Sequence, residues 1–169
     1  GPKKNNDCCT KVCKEGDEEI MKKLGTYTVR GTVDEGVIRK IQLFDGKFTT
    51  GYKVIDFKIM SSSLASSSNN AVARLSTEEI DPMPSSGTMV NFEDNRQIAW
   101  AVTSGDTNGS DYIGGIVDPD HLIVEDLWLS GQNGGSSVPL CYLVTMEKYE
   151  FSDWKGALTM IRNNAQNVE

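Results

Sequence analysis

A single histidine, His121, sits in the stretch GGIVDPDHLIVEDLWLSGQ, with Asp118, Asp120, Glu125 and Asp126 around it. An imidazole among four carboxylates has the ingredients of a general acid–base pair or of a metal site. A general base also needs a nucleophile or water held in a pocket, and common histidine-rich metal sites need more than one histidine. The chain is rich in serine but has no GxSxG elbow to present a nucleophile. The same residues suit a turn. Proline presets φ at the second position of a turn, and the aspartate before it accepts a backbone N–H. The sequence therefore predicts that VDPDH is a turn opening into a strand, with His121 as a strand-entry residue.

Two other groups of residues could hold a metal. DTNGSD (106–111) opens like a calcium loop, with Asp106, Asn108 and Ser110 at the first, third and fifth positions. It then departs from the pattern, since Asp111 stands where glycine is needed and Val117 where a bidentate glutamate is needed. Cys8, Cys9 and Cys13 crowd the N-terminus, and Cys141 is far away. Tetrahedral zinc wants two spaced pairs of ligands, and a disulfide framework wants cysteines spread through the chain. The expectation is no catalytic residue, no metal and no cofactor, and so no enzyme.

The elements that would position these residues follow from periodicity. TYTVRGTV alternates as a half-buried strand does, and Ile55, Phe57 and Ile59 are expected on one face of the next long strand. Asp45-Gly46 between GVIRKIQLF and KFTTGYKVIDFKIM predicts a tight hairpin. RQIAWAVTS sets Ile98, Trp100 and Val102 against Ala99, Ala101 and Thr103. In PLCYLVTMEKY, Leu140, Tyr142, Val144 and Met146 share a face, and SGQNGGSS before it reads as a flexible hairpin connection. HLIVEDLWL carries Leu122, Val124 and Trp128 on one face and Ile123, Leu127 and Leu129 on the other. A strand apolar on both faces is expected to be central and covered twice.

About eight short strands with frequent turn signals predict an all-β antiparallel β-sandwich or jelly roll. Residues 1–24 read as a flexible N-terminal arm, with a short helix from about Asp17 ended by Gly25. Residues 25–169 read as a single domain. Trp154, Ala157, Leu158 and Ile161 follow helical spacing after a Ser152 cap, predicting an amphipathic C-terminal helix over 152–164. Leu122, Val124, Leu127, Trp128, Trp154, Leu158 and Ile161 form the candidate interface of a homo-oligomer. The 169 residues carry a net charge of −7, which disfavours contact with a nucleic-acid backbone. No apolar run reaches the roughly 20 residues that span a bilayer, and the polar N-terminus shows no signal-peptide pattern. Gly1-Pro2 reads as the remnant of a cleaved tag.

The stretches DGKFTTGYKVIDFKI, NRQIAWA, IVDPDHLIVEDLWL and SDWKGALTMIRNNAQ resemble a largely uncharacterised group of virion-associated proteins of tailed phages of marine bacteria. The resemblance runs from about residue 30 and carries no catalytic motif. It implies a virion structural or capsid-associated protein, assembled in the host cytoplasm, with other virion proteins as partners. The alternative is a binding module for surface carbohydrate, using the loops 61–70, 104–115 and 131–137. Trp100, Trp128, Trp154, Tyr27, Tyr112 and Tyr142 could stack on sugars in that case, although strand alternation assigns most of them to the core and the helix contact.

Overall fold

The computed structural model describes residues 21–63, 70–87, 90–104, 112–134 and 138–152. Among them are eight strands and no helix: β1 (Met21–Val33), β2 (Arg39–Ile41), β3 (Thr50–Ser61), β4 (Ala71–Ser76), β5 (Gln97–Ser104), β6 (Tyr112–Val117), β7 (Leu127–Asn133) and β8 (Leu140–Phe151). They form two antiparallel sheets, one ordered β1-β8-β3 and the other β2-β7-β4-β5-β6. The predicted C-terminal helix, with Trp154, Leu158 and Ile161, lies outside the described residues. So do the calcium-like stretch 106–111 and the three N-terminal cysteines.

The two sheets face each other across one core. β8 is the centre of the smaller sheet, and its alternation is as expected: Leu140, Tyr142, Val144 and Met146 are buried. Opposite them lie Leu75, Ala73, Leu127 and Leu129 from the larger sheet. In that sheet β4, β5 and β6 follow one another as neighbours, and β7 returns to lie beside β4. This is the strand order of a Greek key, whose fourth strand arrives by a long connection. That connection is the stretch from Asp118 to Asp126.

Several local expectations change once the strands find their partners. Met21–Leu24, assigned by sequence to an arm and a short helix, are the start of β1 and pair with the end of β8. The Asp45-Gly46 turn forms, with Gly46 at φ 89° and the Asp45 carboxylate accepting the Lys47 N–H at 3.0 Å. It does not close a hairpin, because β2 pairs with β7 and β3 pairs with β8. SGQNGGSS likewise joins strands of different sheets. Ile55 is exposed, because the register of β3 against β8 slips between Val54 and Asp56 and the extra residue bulges out.

β5 turns its row of small residues inward. The core takes Ala99, Ala101 and Thr103, while Trp100 is half-buried and Val102 exposed on the outer face; Ile98, at a register shift against β4, is buried as well. Small residues line the inside because β3 lies unusually near. The Thr103 hydroxyl donates to the Ile59 carbonyl, and a side chain at Gly115 of β6 would begin 2.1 Å from the Phe57 carbonyl oxygen. Bulky side chains in this corner of the core would force the two sheets apart.

Candidate functional site

The connection bearing His121 closes one end of the core. Asp118 opens it as a turn, its carboxylate accepting the Asp120 N–H at 3.1 Å. The chain then meets the edge of β3, where Ile123 and Tyr52 exchange two backbone hydrogen bonds of 2.7 and 2.8 Å. Ile123 enters the main core, while Leu122 packs with Phe151, Tyr149 and Met21 in a second small cluster. Asp126 ends the crossing. Its carboxylate accepts the N–H groups of Leu43 (2.8 Å) and Phe44 (3.0 Å) and pairs with Lys40 at 3.2 Å. Burial pushes the Asp126 carboxyl up, but the two amides and Lys40 together outweigh it and hold the group below its ordinary value.

The four acids therefore do not converge on the histidine. Asp118 caps a turn, Asp126 ties down a neighbouring loop, and Asp120 and Glu125 are exposed. No group of ligating side chains able to hold a metal occurs among the described residues. The strand predicted over HLIVEDLWL begins only at Leu127, because the preceding residues are spent on the crossing. Of the candidate interface residues, Leu122 and Leu127 are buried within this subunit, and Val124 and Trp128 are half-buried. Lys40 lies over the Trp128 ring at 5.5 Å. Ile123, Leu127 and Leu129 enter the main core and Leu122 the second cluster, which accounts for much of the double apolar character of the stretch within one chain.

His121 is half-buried, and burial lowers its affinity for a proton more than Asp118 restores it. The unfolded chain then binds the proton more tightly than the folded one. Stability is full above the ordinary histidine value of about 6.5 and falls as pH drops through the lower folded value. A His121→Gln variant should keep the fold and show a flatter loss of stability between pH 7.5 and 5, read as the urea midpoint. Identical slopes for the two proteins would mean that His121 ionises freely in the folded state.

The outer face of the larger sheet holds two features that the strand pattern concealed. The segment between β4 and β5 folds back over it. Met83 is buried there, its N–H donating to the Ser130 hydroxyl at 2.7 Å and its carbonyl accepting from Gln132 at 2.7 Å. Beside it Arg74 is only 7% exposed and donates to the Asp81 carbonyl, while its Nε makes no hydrogen bond. It borders an open polar cleft of about 670 Å³, with Asp94, Arg96 and Glu79 among the lining. An arginine in AVARLS was the available signal, since a cation inside an apolar strand must be covered by something.

The second feature is an apolar strip along β5 and β6. Trp100 is directly opposite Ile116, and Val102 opposite Gly114. Phe92 meets the Trp100 ring edge-on at 4.4 Å, and the indole N–H donates to Gln97 at 2.8 Å. Ile116 and Phe92 remain 57% and 59% exposed.

The stretches read as loops 61–70, 104–115 and 131–137 are shorter than expected, since Ser61 ends β3, Ser104 ends β5, residues 112–115 belong to β6 and residues 131–133 to β7. The remaining connections leave the sheets at one end of the molecule. Their described stems are joined: Asn133 donates to the Ser61 hydroxyl at 2.9 Å, the Gly134 N–H to the Asn70 carbonyl at 2.7 Å, and Ser104 to the Asn70 side chain at 3.2 Å. A cleft of about 450 Å³ opens beside them, lined by Glu35, Ser85, Gln132 and Asn133 among others. The middles of these loops lie outside the described residues. No protein-family profile and no curated protein sequence matches this chain.

Proposed function

We propose that the chain is a virion structural or capsid-associated protein of a tailed phage, a β-sandwich that self-assembles. The observation that carries the assembly reading is the outer strip of Trp100, Val102, Ile116 and Phe92. A contiguous apolar patch exposed on the outer face of a sheet marks a place where another protein sits. The resemblance of DGKFTTGYKVIDFKI and its companion stretches to phage virion proteins supplies the setting. This strip adds β5 and β6 to the candidate interface read from the sequence.

An Ile116→Lys variant tests this. Its side chain is exposed, so the variant should still fold cooperatively, while the solution mass should fall as the contact made through this strip is lost. A wild-type protein that is a monomer at every concentration, or that mass spectrometry of purified virions fails to find, would refute the reading.

A second reading is a glycan-binding module, favoured by the convergence of the three loops at one end and by the amide and hydroxyl groups joining their stems. Such groups orient sugar hydroxyls in polar clefts. A glycan array with wild type and with Gln132→Ala separates the two readings.

A further inference from the structure

A sheet edge exposes unpaired N–H and C=O groups, and folded proteins generally cover or blunt such edges. The two sheets have four edge strands: β1, β3, β2 and β6. Three of them are short or interrupted. β2 is only three residues long. β6 is six residues long and passes close to β3 where Gly115 approaches the Phe57 carbonyl oxygen. β3 is bonded at Tyr52 by Ile123 and interrupted by its bulge at Ile55. β1 differs from all of them. It is 13 residues long, it pairs with β8 on one side, and no backbone hydrogen bond joins its other side to any described residue.

We infer that the free edge of β1 is a docking surface for the β1 of a second copy, the two strands pairing antiparallel about a two-fold axis at Thr28 to join two three-stranded sheets into one of six. The inference rests on the self-assembly reading, adds a contact between copies distinct from the β5–β6 strip, and needs no phage setting.

The order of residues along β1 suits its own reverse. A two-fold axis at Thr28 sets Tyr27 against Val29, Thr26 against Arg30 and Gly25 against Gly31. Aromatic side chains facing β-branched ones, and threonine facing threonine, are favourable cross-strand pairs. Tyr27 is 47% exposed although it lies on the core side of the strand, and the partner's Val29 would cover it. On the outer face Thr28 neighbours Thr145, so the threonine row would run through the axis into the second copy. Charge agrees as well. Lys22 and Lys23 begin the strand, Asp34 and Glu35 follow it, and reversal brings the basic start of each copy toward the acidic end of the other. Lys22 and Asp34 are both exposed, so each can reach a partner. The bulge at Leu24 lies four residues from the axis and leaves the register from Gly25 to Val33 regular.

The test is disulfide trapping in the full chain with Cys8, Cys9, Cys13 and Cys141 each replaced by serine. Residues directly opposite in antiparallel strands have Cβ atoms about 5 Å apart, within reach of a disulfide. Thr28→Cys should form a covalent dimer under mild oxidant. Arg30→Cys should not cross-link to itself, yet should cross-link when mixed with Thr26→Cys. In the wild-type background Thr28→Lys, which sets two ammonium groups face to face at the axis, should halve the solution mass without moving the denaturation midpoint. Equal cross-linking at all three positions, or an unchanged mass for Thr28→Lys, overturns the inference. So does a monomer whose β1 amides resist hydrogen exchange, since the chain's own flanking segments would then cover the edge. The two proposals fail separately. Assembly lost in Ile116→Lys but kept in Thr28→Lys removes the edge pairing alone. Edge pairing in a protein missing from the virion removes the phage setting alone.

Discussion

Gly115→Ala should unfold the protein or leave it barely stable. The added methyl would sit 2.1 Å from the Phe57 carbonyl oxygen, and that oxygen belongs to backbone, which cannot rotate aside. Either β6 leaves the sheet or the two sheets separate along β3. Overpacking a core with a movable neighbour costs about 1–3 kcal/mol. A fixed backbone neighbour puts this substitution at or above the upper end, against a total stability of about 5–15 kcal/mol for a domain of this size. Gly134→Ala is the control, because its methyl would meet the Asn70 carbonyl at an ordinary 3.6 Å. Its urea midpoint should match that of the wild type. A Gly115→Ala protein with the wild-type midpoint would show that β3 and β6 stand further apart than described.

Asp126→Ala should be the next most damaging change. It removes the acceptor of two backbone N–H groups, those of Leu43 and Phe44, in a partly buried site. Leaving a buried donor unsatisfied costs about 1–3 kcal/mol. The two together should cost about 2–5 kcal/mol, and the loop before β3 should exchange its amides faster. Asp126→Asn keeps an oxygen for the two donors and loses only the charge toward Lys40, so its cost should be much smaller. The two variants also differ from wild type in acid. The folded carboxyl titrates below the ordinary value of about 3.8, so the unfolded chain takes up the proton first. Wild type should lose this stabilisation as pH falls from 3.8 through the folded value, and Asp126→Asn should show a shallower acid limb. Denaturation midpoints at pH 6 and pH 3 check both points. If Asp126→Ala is as stable as Asp126→Asn at pH 6, the carboxylate does not hold the loop.

Much of the local structure was legible from residue order. The alternation of Leu140, Tyr142, Val144 and Met146 named the inward face of β8, and Asp118-Pro119 and Asp45-Gly46 marked real turns. Such features depend on residues within a few positions of one another, through side-chain alternation and the φ preferences of proline and glycine. The turn reading of the His121 stretch rested on the same local chemistry.

What the order of residues left open was depth and pairing, which are set by contacts between distant parts of the chain. Alternation in β5 separates Trp100 and Val102 from Ala99 and Ala101, but it cannot tell which set faces the core. The close approach of β3 decides that, and it selects the small residues. The bulge at Ile55 arises from register against Thr145 and Met146 of β8, distant in the sequence, and so leaves no trace in its own neighbourhood. Arg74 is tolerable in a buried strand only because the segment carrying Asp81 and Met83 folds back over it. The apolar run from Leu122 to Leu129 read as one central strand covered on both faces. The tertiary structure divides it into a crossing and a strand, because the Greek-key return must span the end of the core before β7 can pair with β4.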